Sequence, residues 1–313
     1  MSVIEVSHLT KDYGSGRGVF DVSFAVERGE VFGFLGPNGA GKSTTIRHLM
    51  GFSRPQEGDT KIFGKSTFSH YDRILSDVGY IPGEIALPAG LTGWEFLSMM
   101  QSLQHKKNQE QLDRMLSMFR LEDKVLRGDT KHMSLGVKRK LAVVSAFMND
   151  PSVLILDEPT SGLDPVMQEV FVDFIKEEKA RGKTILLSSH IFSEVDATCD
   201  RIAIIKDGRI ISEFVADDLR HANKKIYRIR FSDRAELTRF LEAAKSQTDS
   251  FTVNRSDPDT ATAVILTEDA HINGVVSCLA DFAVVEFVHR KETLEDYFMK
   301  FYKEDRDFGG AIQ

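Results

Sequence analysis

Gly36-Pro37-Asn38-Gly39-Ala40-Gly41-Lys42-Ser43-Thr44 is the stretch on which the fold turns. It reads G-x-x-x-x-G-K-S and lies between a wholly apolar run, Val31-Phe32-Gly33-Phe34-Leu35, and a helical pattern over residues 42–50. A bound phosphate needs this composition. Glycines let backbone N–H groups curl inward, and the helix N-terminus adds a positive dipole end. In this reading Gly36, Asn38, Gly39, Gly41 and Thr44 cradle the phosphates, Lys42 reaches the outer ones, and the Ser43 hydroxyl ligates Mg²⁺.

Working outward, Val153-Leu154-Ile155-Leu156-Asp157-Glu158 supplies a second half. Four apolar residues bury a strand and deliver two carboxylates at its C-terminal end, where ligands bind in open α/β sheets. Asp157 is expected to hold Mg²⁺ with Ser43, directly or through water. Glu158 is placed to polarise a water facing the terminal phosphate. Alternating segments at 3–9 and 19–26, with Phe20, Val22, Phe24 and Val26 on one face, predict strands near the N-terminus. Residues 184–188 predict a further buried strand, and residues 91–149 read mostly helical. Strands alternating with helices imply a largely parallel sheet covered by helices.

The order of further motifs resembles that of ATP-binding cassette (ABC) ATPases. Ser161-Gly162-Leu163-Asp164 is similar to the family's D-loop, and His190, after Thr184-Ile185-Leu186-Leu187-Ser188-Ser189, to its switch histidine. Met133-Ser134-Leu135-Gly136-Val137-Lys138-Arg139 resembles the signature segment, which opens a helix and caps the ATP of a second subunit. Tyr13 matches the aromatic that stacks on adenine. The resemblance covers residues 1–219 and implies an α/β, P-loop, ABC-type nucleotide-binding domain with a mixed sheet and a helical subdomain at about 84–150. It implies ATP and Mg²⁺ as cofactors, Glu158 and His190 as catalytic residues, and Tyr13, Ser134, Gly136 and Asp164 as nucleotide-contacting ones. It also implies a second cassette, as a homodimer, and a permease on a separate transmembrane chain. Residues 83–88 would face that permease.

Two places depart from the family pattern. Gly83 stands where family members carry a Mg²⁺-contacting Gln, so either the adjacent Glu84 substitutes or water fills the place. Leu135 and Val137 replace the usual Gly and Gln of the signature, while Ser134 and Gly136 are retained. Lys138, Arg139 and Lys140 read as the solvated face of the signature helix. Within the helical insert, Thr92 and Glu95 predict a capping box, and Trp94 with Met99 and Met100 reads as core of that subdomain or as a partner surface.

A polar stretch at 217–225 separates a second periodic region. There the pattern is strand 226–231, helix 234–245, strands 251–254 and 263–267, helix 270–279, strand 283–288 and a final helix 292–302. That is a β-α-β-β-α-β order, a small α+β ferredoxin-like domain at 226–313. Without a phosphate loop of its own, it is expected to be accessory: holding cassettes together, sensing a ligand or covering the cassette.

Composition excludes several classes. The 313 residues carry 40 Lys+Arg against 47 Asp+Glu, a net charge of −7, which argues against nucleic acid as a partner. The apolar runs are strand-sized, far short of the ~20 residues that span a membrane. The first residues lack a secretory signal, and two cysteines build no disulfide framework. A cytoplasmic chain, peripheral on the membrane through its permease, is the resulting expectation. It would be the ATPase subunit of an exporter. The alternatives are a cassette ATPase not tied to a membrane and a nucleotide-gated module with little turnover.

Overall fold

The computed structural model describes residues 2–104, 106–220, 224–245, 250–290 and 293–303. The chain divides into two units, Met1–Ala216 and Asp217–Gln313.

A six-stranded sheet organises the first unit, in the order Arg209–Val215, Arg201–Lys206, Val31–Leu35, Thr184–Ser189, Val153–Asp157, Val78–Ile81. The last five run parallel, and Arg209–Val215 closes one edge antiparallel. Every residue of Val31–Leu35, Val153–Asp157 and Thr184–Ser189 is buried, as apolar runs covered on both faces must be. A second, antiparallel sheet holds Arg17–Glu27, Ser2–Gly14, Glu57–Ile62 and Lys65–Ser66 in that order. Val22, Phe24 and Val26 turn into the shared core, and Phe24 stacks on Phe32 with ring centroids 5.1 Å apart.

Strands Glu57–Ile62, Lys65–Ser66, Arg201–Lys206 and Arg209–Val215 are additions to the elements expected from sequence. The insert is helical as expected, with Gly93–Leu103, Gln109–Met118, Asp123–Leu126 and Leu135–Phe147. Its capping box forms: Glu95 N donates to Thr92 Oγ1 at 3.2 Å, and Thr92 N to Glu95 Oε2 at 2.7 Å. The Trp94 indole donates to Asp123 Oδ1 at 2.8 Å, which ties it into this subdomain. Among the described residues, no helix is long and apolar enough to cross a membrane.

In the second unit, Lys224–Phe231, Phe251–Asp257, Thr262–Glu268 and Val284–Arg290 form one antiparallel sheet. The strand order is Phe251–Asp257, Thr262–Glu268, Lys224–Phe231, Val284–Arg290. Helices Arg234–Ala244 and Ile272–Leu279 contribute Leu237, Phe240, Val275 and Leu279 to a core with Ile229, Phe231, Phe251 and Ile265. Part of the polar stretch, residues 221–223, and Glu292, the expected first residue of the last helix, lie outside the described residues; that helix is described over Leu294–Lys303.

Candidate nucleotide site

The end of Val31–Leu35 feeds directly into the phosphate loop. A side chain at Gly36 would put its Cβ 2.5 Å from the Ile205 carbonyl oxygen, so only glycine lets the chain turn beside the neighbouring strand. Gly41 has φ +112°, left-handed backbone that favours glycine, and helix Lys42–Leu49 starts at the next residue. Lys42 is 3% exposed, and its Nζ donates to Gly36 O at 2.6 Å and Pro37 O at 3.1 Å. The ammonium is thus folded back into the loop. Asn38 and Gly39 are exposed, while Ser43 and Thr44 on the first helical turn are half-buried.

Because Val31–Leu35, Thr184–Ser189 and Val153–Asp157 are adjacent and parallel, their C-terminal ends bring the loop, His190 and the acid pair together. Asp157 is buried and accepts from Ser188 Oγ at 2.5 Å. Glu158 has φ +47°, although it precedes Pro159. Such a backbone costs on the order of 1–3 kcal/mol in a non-glycine residue and clusters at functional sites. The Glu158 amide is anchored on Ser188 O at 3.0 Å. Its carboxylate bridges two partners, Oε1 lying 3.2 Å from Lys42 Nζ and Oε2 3.3 Å from His190 Nδ1. Three residues far apart in sequence thereby meet through one carboxylate.

Other candidates sit elsewhere. Tyr13 is 57% exposed, with Lys11 Nζ 5.7 Å from its ring centroid. Ser134 caps helix Leu135–Phe147, its Oγ accepting from Val137 N at 3.3 Å, and Ser134 and Leu135 are exposed. A Cβ on Gly136 would meet Gly162 O at 3.2 Å, so the signature segment abuts the D-loop segment of its own chain. Among the described residues, no hydrogen bond or ion pair joins Ser134 or Gly136 to the phosphate loop. Asp164 caps the helix Pro165–Ala180, accepting from Met167 N at 3.0 Å. Glu84 is exposed, whereas Gly83 packs against Asp157.

Two charged residues near this site escape a sequence reading. Arg139 does not belong to a solvated helix face: it is 2% exposed, with Nη1 donating to Pro82 O at 2.9 Å and Nη2 to Gly83 O at 2.7 Å. The helical phase explains this, since Arg139 shares its stripe with buried Ala142, Val143 and Ala146. Glu194 is the other. Its Oε2 accepts from Ser189 Oγ at 2.6 Å and from Thr160 Oγ1 at 3.1 Å, while Oε1 is buried without a partner. No local pattern separates Glu194 from an ordinary acid in a first helical turn.

Burial pushes the Glu194 carboxyl up to about 7, against the pull of the Ser189 and Thr160 hydroxyls and with help from the Glu158 charge. In the unfolded chain this group ionises near its ordinary value of 4.5. Between the two values the folded state holds a proton that the unfolded state has lost, so stability falls as pH rises through that window. Glu194→Gln is therefore expected to stabilise the protein by about 2–3 kcal/mol at pH 8, and by little at about pH 5. Thermal midpoints across that range check this; a pH-independent difference between the proteins contradicts it.

The family model for ABC transporters matches residues 19–161. A bacitracin transport ATP-binding protein of Enterococcus faecalis is 31% identical over 304 residues, covering 95% of this chain and 96% of its own. One from Bacillus licheniformis is 36% identical over 247 residues, 77% of this chain and 79% of its own. Among solved structures, an ATP-binding subunit of an ABC transporter is 34% identical with a TM-score of 0.64, covering 70% of this chain and 92% of its own. This chain belongs to the ABC transporter family, as an ATP-binding subunit.

Proposed function

We propose that this chain hydrolyses ATP as one of two identical cassettes and thereby drives export through a permease on separate transmembrane chains. The observation that carries the reading is the Lys42–Glu158–His190 cluster at the ends of adjacent parallel strands. Gly36, Asn38, Gly39, Gly41 and Thr44 cradle the phosphates, Lys42 neutralises them, and Tyr13 stacks on adenine. Glu158 accepts the proton of the attacking water as its oxygen bonds to the γ-phosphorus, and the bond to the ADP oxygen breaks. His190, held by Glu158, contacts the γ-phosphate.

For the divalent ion, the donor set fits. The Ser43 hydroxyl and Asp157 carboxylate are hard oxygen ligands of the kind Mg²⁺ takes alongside substrate phosphates. Mg²⁺ would neutralise charge on the β- and γ-phosphates. Exposed Glu84 is the remaining carboxylate beside Gly83.

Ser134 and Gly136 act on the partner's nucleotide, and Asp164 is a further nucleotide contact. Exposure of Ser134 and Leu135 at a helix N-terminus supports this assignment. We assign residues 1–219 to the cassette, with its helical subdomain at 84–150, and residues 226–313 to a ferredoxin-like accessory domain. Its β-α-β-β-α-β order and four-stranded antiparallel sheet support that label.

The permease contact is the segment 83–88. Ile85 and Leu87 are half-buried and Ala86 is exposed, leaving apolar surface next to Gly83. The reading is tested by purifying the tagged chain from native membranes under mild detergent. A polytopic membrane chain should co-purify, and Leu87→Asp should release it while the isolated protein still hydrolyses ATP. Co-purification with ribosomes or DNA, or recovery only as a free chain, would overturn it.

A further inference from the structure

Arg139 is a buried cation in a place where burial alone is costly. Desolvation of an ion costs several kcal/mol unless geometry and hydrogen bonds compensate. Here both terminal nitrogens are spent on consecutive backbone carbonyls, Pro82 O at 2.9 Å and Gly83 O at 2.7 Å, and Nε is buried without a partner. Burial pulls the guanidinium below the ordinary arginine range, while the charges of Asp157 and Glu158 draw it back. Arg139 therefore lies within electrostatic reach of both acids.

The segment that Arg139 grips runs beside Asp157, with room for no side chain between them. A Cβ built on Gly83 would lie 3.1 Å from Asp157 Oδ2 and 3.4 Å from its Cγ. Gly83 is thus a backbone wall against that carboxylate, at the position from which a side chain would otherwise project. Arg139 also stands on the helix Leu135–Phe147, whose first turn carries Gly136 and whose cap is Ser134. A displacement of the helix N-terminus moves Arg139 with it, because Arg139 follows Gly136 by three positions, less than one turn, on one continuous helix.

We propose that Arg139 is a positioning residue for hydrolysis: its guanidinium fixes the backbone of Pro82 and Gly83 against Asp157 and ties the acid pair to the signature helix. The inference rests on the proposed function, in which Ser134 and Gly136 meet the partner's nucleotide. Arrival of that nucleotide is then registered at Asp157 through a rigid helix, a two-pronged guanidinium and a glycine backbone. Lysine does not reproduce this fork: its donors all sit on one nitrogen, whereas Nη1 and Nη2 reach the two carbonyls from separate, coplanar positions.

The test uses the full chain with Arg139→Lys, Arg139→Met and Gly83→Ala. The readouts are ATP affinity, thermal midpoint, kcat and KM, and ATP-driven dimerisation in the Glu158→Gln background. A misplacement at the acid pair is expected to lower kcat by about 10–100-fold in both Arg139 variants. KM and ATP affinity stay near wild type, and the Glu158→Gln protein still dimerises with or without Arg139→Lys. Wild-type kcat in Arg139→Lys overturns the proposal, since a merely charge-balancing residue would be rescued by lysine. If neither Arg139 variant folds, Gly83→Ala decides: a lowered kcat with retained ATP binding supports the proposal, and an unchanged kcat overturns it. Absence of ATP-driven dimers in Glu158→Gln with native Arg139 refutes the proposed function instead.

Discussion

Glu158→Gln is expected to retain ATP binding and to slow hydrolysis by about 10²–10⁴-fold, the loss that accompanies removal of a positioned general base. Glutamine keeps the volume and an acceptor oxygen but not the basicity. The strained backbone at Glu158, φ +47°, and its anchor on Ser188 hold the side chain between Lys42 and His190. In the amide variant the Lys42 ammonium loses its carboxylate partner, so ATP affinity is expected to hold or rise. Steady-state turnover with an independent nucleotide-binding titration separates the two effects. Turnover close to wild type would remove Glu158 from the role of base.

Lys42→Met is expected to act on binding, weakening ATP by about 10–150-fold, the equivalent of the 1.5–3 kcal/mol typical of hydrogen bonds to charged groups. Without nucleotide, the Lys42 charge is satisfied by two loop carbonyls and Glu158. The phosphates compete for an ammonium already desolvated and held within the loop, so little conformational entropy is lost on binding. Methionine preserves the length of the side chain while removing its charge, and it leaves the Glu158 carboxylate facing the phosphates unopposed. Calorimetric titration checks the affinity; an unchanged value would mean the loop backbone alone holds the nucleotide.

The features most legible in sequence are those whose cause is local. Val31–Leu35 and residues 153–156 are apolar throughout because both faces are covered, and Gly36 and Gly41 sit where a side chain would collide with Ile205 or Val19. Glu57–Ile62 is illegible for the opposite reason. Gly58, Asp59 and Lys61 read as loop, and only pairing with a distant partner, Val6 against Thr60 and Ile4 against Ile62, makes them a strand. Arg201–Lys206 carries a buried apolar run, yet nothing local seats it beside Val31–Leu35.

At the site, residue types were readable but environments were not. Arg139 belongs to a run of three basic residues, and charge alone suggests solvent; the inward phase of its helix decides otherwise. Glu194 becomes distinctive only when Ser189 and Thr160, from two different strand ends, converge on its one bonded oxygen. The residue before a proline ordinarily adopts extended backbone, so the left-handed turn at Glu158 contradicts the local preference. Tertiary contacts override it, and the carboxylate reaches Lys42 and His190 as a result.

The central claim is that two copies of this chain complete each other's nucleotide sites. In such an isologous pair, each Ser134 and Gly136 would cap the nucleotide held by the partner's phosphate loop. Light scattering of the Glu158→Gln protein, with and without ATP and Mg²⁺, measures this directly. The account predicts a doubling of mass on adding nucleotide, reversed when it is removed and abolished by Gly136→Trp. A mass that stays at one chain at saturating ATP would contradict it, because Ser134 and Gly136 would then have no nucleotide to meet.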